Sequence, residues 1–259
     1  MKIDVLVDPF GARWSDVQKL ARAAEDGGFD GLWTWDHLAG SVHRADRVLE
    51  SWTLLSAIAS GTERIAIGPM VLNVANRDPG TLAVMAATFQ EISAGRLLLG
   101  IGAGGGAGTP YASEQRALGR DVPPDAVRRR HLAAAIETLR QVWSGRFGEA
   151  SGFLVPEIVP PIIVGAFGPR MAELAGRLAD GINTPVGPGL ARLVGVARDA
   201  RAEAGRDASS FIVTASDGFD DRYLRAGSPA REHLEGLGVD RLVLVTRATS
   251  WDRITTALL

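Results

Sequence analysis

The chain has 259 residues, a formal net charge of −2, 46% hydrophobic residues and no cysteine. Near-neutrality leaves no field for a polyanion, so nucleic acid is not an expected partner. The missing cysteines exclude disulfides, thiolate catalysis and Cys-ligated metal.

Met1-Lys2 leads straight into the apolar run 3–7, and no run approaches the ~18 residues of a membrane span. We therefore expect a cytoplasmic protein with no signal peptide and no membrane partner. Further β-branched or Leu-rich runs fall at 31–35, 64–72, 96–102, 161–165, 181–184, 211–216 and 241–246. Between them, apolar residues recur at helical spacing, as in Val17/Leu20/Ala21/Ala24, Leu132/Ala135/Ile136/Leu139 and Leu190/Leu193/Val194/Ala197. Pro79, Pro169 and Pro229 mark first helical turns, and Gly27, Gly61, Gly95, Gly145 and Gly205 mark left-handed helix ends. The last helix is predicted over 251–259. Eight strands alternating with eight helices predict an α/β fold of parallel strands, a (β/α)8 TIM barrel formed by a single domain over 1–259.

Gly100, Gly102 and Gly105 satisfy the dinucleotide fingerprint G-x-G-x-x-G after an apolar run. A Rossmann sheet carries that pattern on its first strand and opens a helix inside it. Here it follows the fourth strand and runs into 109–119, which reads as a polar loop, with the next helix starting near Pro124. The glycines are retained as a place where backbone approaches a ligand.

A barrel of this kind works at the C-terminal ends of its strands. Those ends carry Asp8, Asp36-His37, Asn73, Gly102 to Gly106, Gly165 to Gly168, Thr184, Asp217 and Thr246-Arg247. In TWDHLAG (34–40), His37 suits proton transfer near neutral pH, with Asp36 orienting it or binding a cofactor's polar edge. The structural alternative is that Asp36 caps the next segment and His37 is an ordinary loop residue. His43, His131 and His233 read as solvated surface, and no spacing predicts a metal site. Gly68-Pro69 inside a central strand predicts an irregular strand, as a bulge or as a distortion that meets a ligand. Gly165 to Arg170 run from strand five into a helix N-terminus, which suits a phosphate or carboxylate.

Four segments, 26–38, 64–105, 128–145 and 161–183, together resemble the luciferase-like monooxygenase superfamily of flavin and deazaflavin barrels. The last third of the chain matches in element order only. The end of strand two resembles most the members that use coenzyme F420. The resemblance implies an F420-dependent oxidoreductase moving a hydride between the deazaflavin and a small-molecule substrate, with Asp36 and His37 beside the ring and His37 handling the proton. It further implies a non-proline cis bond at Met70-Val71, Asn73 at the ring edge, and Gly102, Ala103 and Gly104 close to the cofactor. Ala166, Phe167, Gly168 and Pro169 would hold the phosphate or tail. A homodimer through helices two and three is the family expectation. FMN with a monooxygenase reaction is the alternative, and a non-catalytic cofactor-binding barrel is the third reading. Sugar-phosphate dehydrogenases of the superfamily carry a Glu proton donor where this chain has Gly105, and the segment 144–160 is shorter than usual. An isomerase or aldolase would need a Lys or catalytic Glu at a strand end, and neither Lys2 nor Lys19 lies there.

Overall fold

Each apolar run becomes a short strand because both of its faces find cover, one inside a barrel and one beneath helices. The computed structural model describes residues 1–246 and 251–256. In chain order the principal elements are β1 (Lys2–Val7), α1 (Trp14–Asp26), β2 (Gly31–Thr34), α2 (Ser51–Ser60), β3 (Ala66–Pro69), β4 (Leu72–Asn73) and α3 (Pro79–Ile92). They continue with β5 (Leu99–Gly102), α4 (Ala112–Ala117), α5 (Asp125–Val142), the small ribbon β6 (Arg146–Phe147) and β7 (Ala150–Ser151), β8 (Ile162–Gly165) and α6 (Pro169–Leu178). The chain then forms β9 (Gly181–Pro185), α7 (Leu190–Glu203), β10 (Ile212–Gly218), α8 (Pro229–Gly236), β11 (Arg241–Val245) and α9 (Trp251–Thr256). The end of the helix predicted over 251–259 lies outside the described residues, as does Arg247.

The main sheet runs β3-β2-β1-β11-β10-β9-β8-β5-β4, with every strand pair parallel. A parallel bridge between Ile67 and Leu97 joins its two ends, supported by Leu98 N donating to Ile67 O at 2.9 Å. The sheet thus closes as a barrel. The third predicted strand is split. Its first half, β3, pairs with β2, and its second half, β4, pairs with β5. The Met70–Val71 peptide between the halves is cis. The irregularity therefore falls just after Gly68-Pro69, and Pro69 itself keeps its place in the strand opposite Thr34.

Alternation along each strand sorts the core. Leu6, Trp33, Ile163 and Val243 fill the barrel interior, while Ile3, Val5 and Val7 pack outward with Val17, Leu20, Ala21 and Ala24 of α1 in the layer beneath the helices. Nearest the strand starts, Asp4 is fully buried and takes Arg241 Nε at 2.8 Å, Arg241 Nη2 at 2.7 Å and Trp33 Nε1 at 2.8 Å. Three donors on one carboxylate satisfy a charge that burial would otherwise penalise heavily.

The helix starts follow the prolines: α3, α6 and α8 each carry Pro in the first turn. Of the five glycines expected to be left-handed, Gly95, Gly145 and Gly205 are, with φ of 84°, 87° and 67°. Two are not. After α1 the left-handed residue is Gly28 (φ 85°), while Gly27 stays at −75°. Gly61 lies at −105°. There the Thr62 hydroxyl donates to Ile58 O at 2.9 Å and Arg96 donates to Ala59 O at 2.8 Å. Side chains thus satisfy the helix end that a left-handed glycine usually closes.

A second correction concerns 109–119. The polar loop predicted there contains α4, in which Ala112, Glu114 and Gln115 are buried. Its polar residues face protein because each of the two buried polar side chains finds partners on another loop.

Candidate active site

The loops at the C-terminal ends of the strands enclose a cleft of about 990 Å³. Strand β2 ends on its wall with Trp35, Asp36 and His37, the split third strand contributes Met70, Val71 and Asn73, and β5 contributes Gly102, Ala103 and Gly104. Asn183, Ser216 and Val245 also line it, from β9, β10 and β11. From the fifth barrel strand, Phe167, Gly168 and Pro169 reach the cleft. Ala166 does not line it: this residue is fully buried, with its N–H donated to Asn183 O at 2.8 Å. Asp8, Thr184, Asp217 and Thr246 also lie off the cleft wall.

The carboxylate partner of His37 is not its neighbour Asp36. His37 Nδ1 lies 2.9 Å from Glu114 Oε1 on α4. The other oxygen of Glu114 accepts from Leu38 N at 2.7 Å and Ala39 N at 3.2 Å. Burial works to raise the Glu114 carboxyl, but the bonds from His37, Leu38 and Ala39 hold it below the usual glutamate range. Glu114 is therefore ionised near neutrality and can only accept. No sequence pattern near Gly105 marks it, because the pair forms between residues 77 positions apart.

Asp36 has a different task. Arg77 Nη1 and Nη2 each donate to it at 2.9 Å, and Asn73 N and Asn76 Nδ2 donate at 2.9 and 3.2 Å. Arg77 also bonds Glu50, which caps α2 by accepting from Trp52 N and Thr53 N. Asp36 thus fixes the backbone at Asn73 against the end of β2.

His43 was expected on the surface. Its ring is exposed but stacks on Trp35, with centroids 5.6 Å apart and planes 5° from parallel. Tyr111 lies 5.2 Å from His37 and 6.0 Å from His43, so Trp35, His37, His43 and Tyr111 form one wall of rings on the cleft. His131 and His233 are exposed, as predicted.

The glycines after β5 have internal reasons to be glycine. A Cβ on Gly102 or Gly165 would meet Val71 Cγ2 at 2.8 or 2.9 Å. Gly104 has φ of 74°, and a Cβ there would lie 2.5 Å from Asn73 Oδ1. These residues make room for the turn of the split strand. At Gly105, Thr109 Oγ1 and Tyr111 Cβ would stand 2.6 and 2.8 Å from an added Cβ. A side chain at 105 would require Thr109 and Tyr111 to shift.

Farther along the cleft lie Arg128, Arg129 and Arg170. Arg128 donates to Ala103 O, Gly104 O and Asp125, and its buried Nε has no partner among the described residues. Among the described residues no cluster of three or more His, Asp or Glu side chains is arranged to hold a metal ion, and no helix is long and apolar enough to cross a membrane.

The model of the luciferase-like monooxygenase family matches residues 3–217. The chain belongs to that family. An F420-dependent glucose-6-phosphate dehydrogenase of Nakamurella multipartita is 32% identical over 84% of this chain and 67% of the relative. A 5,10-methylenetetrahydromethanopterin reductase of Archaeoglobus fulgidus is 30% identical over 85% of this chain and 65% of the relative. This luciferase-like chain thus spans about two thirds of the length of those relatives, and 50% of a glucose-6-phosphate dehydrogenase from Microbacterium testaceum. Among solved structures, an F420-dependent secondary alcohol dehydrogenase in complex with an F420-acetone adduct shares the fold, with a TM-score of 0.82 and 18% identity over 99% of this chain and 98% of that one. The F420-dependent tetrahydromethanopterin reductase of Methanopyrus kandleri does so at 0.73, also with 18% identity over 99% and 98%.

Proposed function

We propose that this luciferase-like protein is an F420-dependent oxidoreductase that moves a hydride between the deazaflavin and a small organic substrate in the cytoplasm. The observation that carries the reading is the His37 imidazole on the cleft wall, anchored through Nδ1 by Glu114, in a family whose curated relatives include F420-dependent enzymes.

The residues present fit such a cofactor. The cleft volume matches a cofactor-sized site. Arg128, Arg129 and Arg170 suit an anionic tail, beside the open N-terminus of α6. Phe167, 84% exposed on the cleft rim, offers an apolar face to a ligand lying there. Met70, Val71, Asn73 and the segment Gly102 to Gly104 would form the surface against which a flat ring lies. When bound, the deazaflavin supplies the carbon that gives or receives the hydride.

His37 then protonates a carbonyl oxygen during reduction, or removes the proton of an alcohol in the reverse direction, which is general acid–base catalysis worth about 10²–10⁴-fold. Asp36 takes the backbone N–H of Asn73, whose side-chain Nδ2 remains to donate to the ring edge. Trp35, His43 and Tyr111 keep bulk water from the reacting atoms. With Gly105 packed against Thr109 and Tyr111 and no carboxylate at that position, the site favours a substrate other than a sugar phosphate.

The reading includes a homodimer through α2 and α3, supported by Val84 and Ile92 of α3, which are 42% and 59% exposed. The cysteine-free composition suits a cytoplasmic site of action.

Titration with F420 should give a saturable change in cofactor fluorescence, with weaker binding of FMN. Turnover is then screened with C2–C6 alcohols, aldehydes and ketones and with glucose 6-phosphate. His37→Ala should keep cofactor affinity and lose about 10²-fold or more of turnover. Tight FMN binding without F420 binding would reverse the choice of cofactor.

A further inference from the structure

We infer that Glu114 is a positioning residue that fixes the tautomer of His37, leaving Nδ1 protonated and Nε2 bare toward the cleft. The inference rests on the reading that His37 handles the proton, and it assigns that task to one nitrogen.

The argument begins with hydrogen-bond capacity. An ionised carboxylate has no donor. One oxygen of Glu114 faces His37 Nδ1 at 2.9 Å and the other already takes the N–H groups of Leu38 and Ala39. Nδ1 must therefore carry the hydrogen in both the neutral and the charged ring. Nε2 receives no hydrogen bond from the described residues, and His37 lies on the cleft wall with its side chain 15% exposed. In the neutral ring Nε2 is then an acceptor, ready to take a proton from a substrate hydroxyl. In the charged ring it is the donor. The state of the second nitrogen is set by the bond the first one makes.

Glu114 also fixes where the ring sits. By holding Leu38 N and Ala39 N it clamps the two residues that follow His37. Its neighbour Gln115 bonds Asn76, which in turn donates to Asp36. One short helix thus grips both strand-end loops. This explains how the chain dispenses with a carboxylate at position 105: a carboxylate reaches the cleft from α4 instead and acts through the imidazole.

The substitution Glu114→Gln has a specific consequence. The amide oxygen is the only atom that can accept from Leu38 and Ala39, so the amide nitrogen turns toward Nδ1. Nδ1 must then accept, and the neutral ring moves its proton to Nε2. Backbone anchoring survives while the tautomer reverses, which a purely structural role for Glu114 would not produce.

The test is long-range proton–nitrogen NMR of ¹⁵N-histidine-labelled full chain, at a pH where the rings are neutral, with His37→Gln assigning the signals. The wild-type His37 spectrum should show a pyrrole-type Nδ1 and a pyridine-type Nε2. Glu114→Gln should exchange them, and kcat in the alcohol screen should fall at least ten-fold with KM nearly unchanged. A wild-type ring protonated on Nε2 overturns the inference by itself, whether or not any variant folds. An unchanged tautomer in Glu114→Gln overturns it too, as does an exchanged tautomer with kcat retained. Undiminished turnover in His37→Ala would instead remove His37 from the reaction, while the spectra still decide what Glu114 does to the ring.

Discussion

Arg77 holds Asp36 through two parallel bonds of 2.9 Å at the end of β2, where Asp36 also lines the cleft. The Asp36 side chain is fully buried and the Arg77 side chain is 11% exposed. The pair therefore acts as a structural clamp under the cleft, with Asn73 as the part it positions.

Removing the arginine leaves a buried carboxylate without its cation. Arg77→Met should destabilise the protein by roughly 3–5 kcal/mol, the usual cost of breaking a buried pair from one side. Urea unfolding followed by circular dichroism measures this. F420 affinity should fall as well, because Asn73 loses its fixed backbone.

The fit between Val71 and the glycines predicts a coupled pair. Gly102→Ala places a methyl 2.8 Å from Val71 Cγ2 and should cost about 1–3 kcal/mol through overpacking. Val71→Ala in the same chain should return part of that loss. A double-mutant cycle should therefore give a coupling energy of at least about 0.5 kcal/mol. Simple additivity of the two losses would show that the methyl is accommodated elsewhere.

Acid should act through Glu114. Burial works to raise its carboxyl, but the bonds from His37, Leu38 and Ala39 outweigh it and hold the group below the ordinary glutamate range in the folded protein. A depressed carboxyl pKa contributes stability that is present above the unfolded value and is lost as pH falls through the folded one. Stability should thus decline on acidification from about pH 4.5 downward. Glu114→Gln should flatten that slope relative to wild type, as read from urea midpoints across the series. Glu50, also lowered, against burial, by Thr53, Trp52 and Arg77, keeps part of the slope in the variant.

The barrel was legible because its strands are buried on both sides and read as unbroken apolar runs, while helices such as α1 show their inner face at regular spacing. The cleft residues at the strand ends followed from that frame. Helix α4 was not legible, since its buried side chains are a glutamate and a glutamine whose partners sit at His37 and Asn76. Periodicity reports apolar burial and is blind to polar side chains buried by pairing. The packing at the glycines was not legible for a related reason. Gly102 and Gly104 line the cleft, and the structure adds a second reason for glycine there, since Val71 and Asn73 occupy the space a side chain would take. Gly61 shows the same limit, because Arg96 supplies from a distant loop what a local cap usually provides.

Helix α4 touches the first loop through one side chain and the second through the next, and the stretch leading into it adds a third tie, with Arg116 donating to Ala107 O at 2.6 Å and Ala112 N to Thr109 O at 3.1 Å. A change of length within 105–111 would therefore reach the acid–imidazole couple, since Tyr111 packs 5.2 Å from His37. The breadth of the opening and the proton-handling parts are thus mechanically joined through one short helix and its leader.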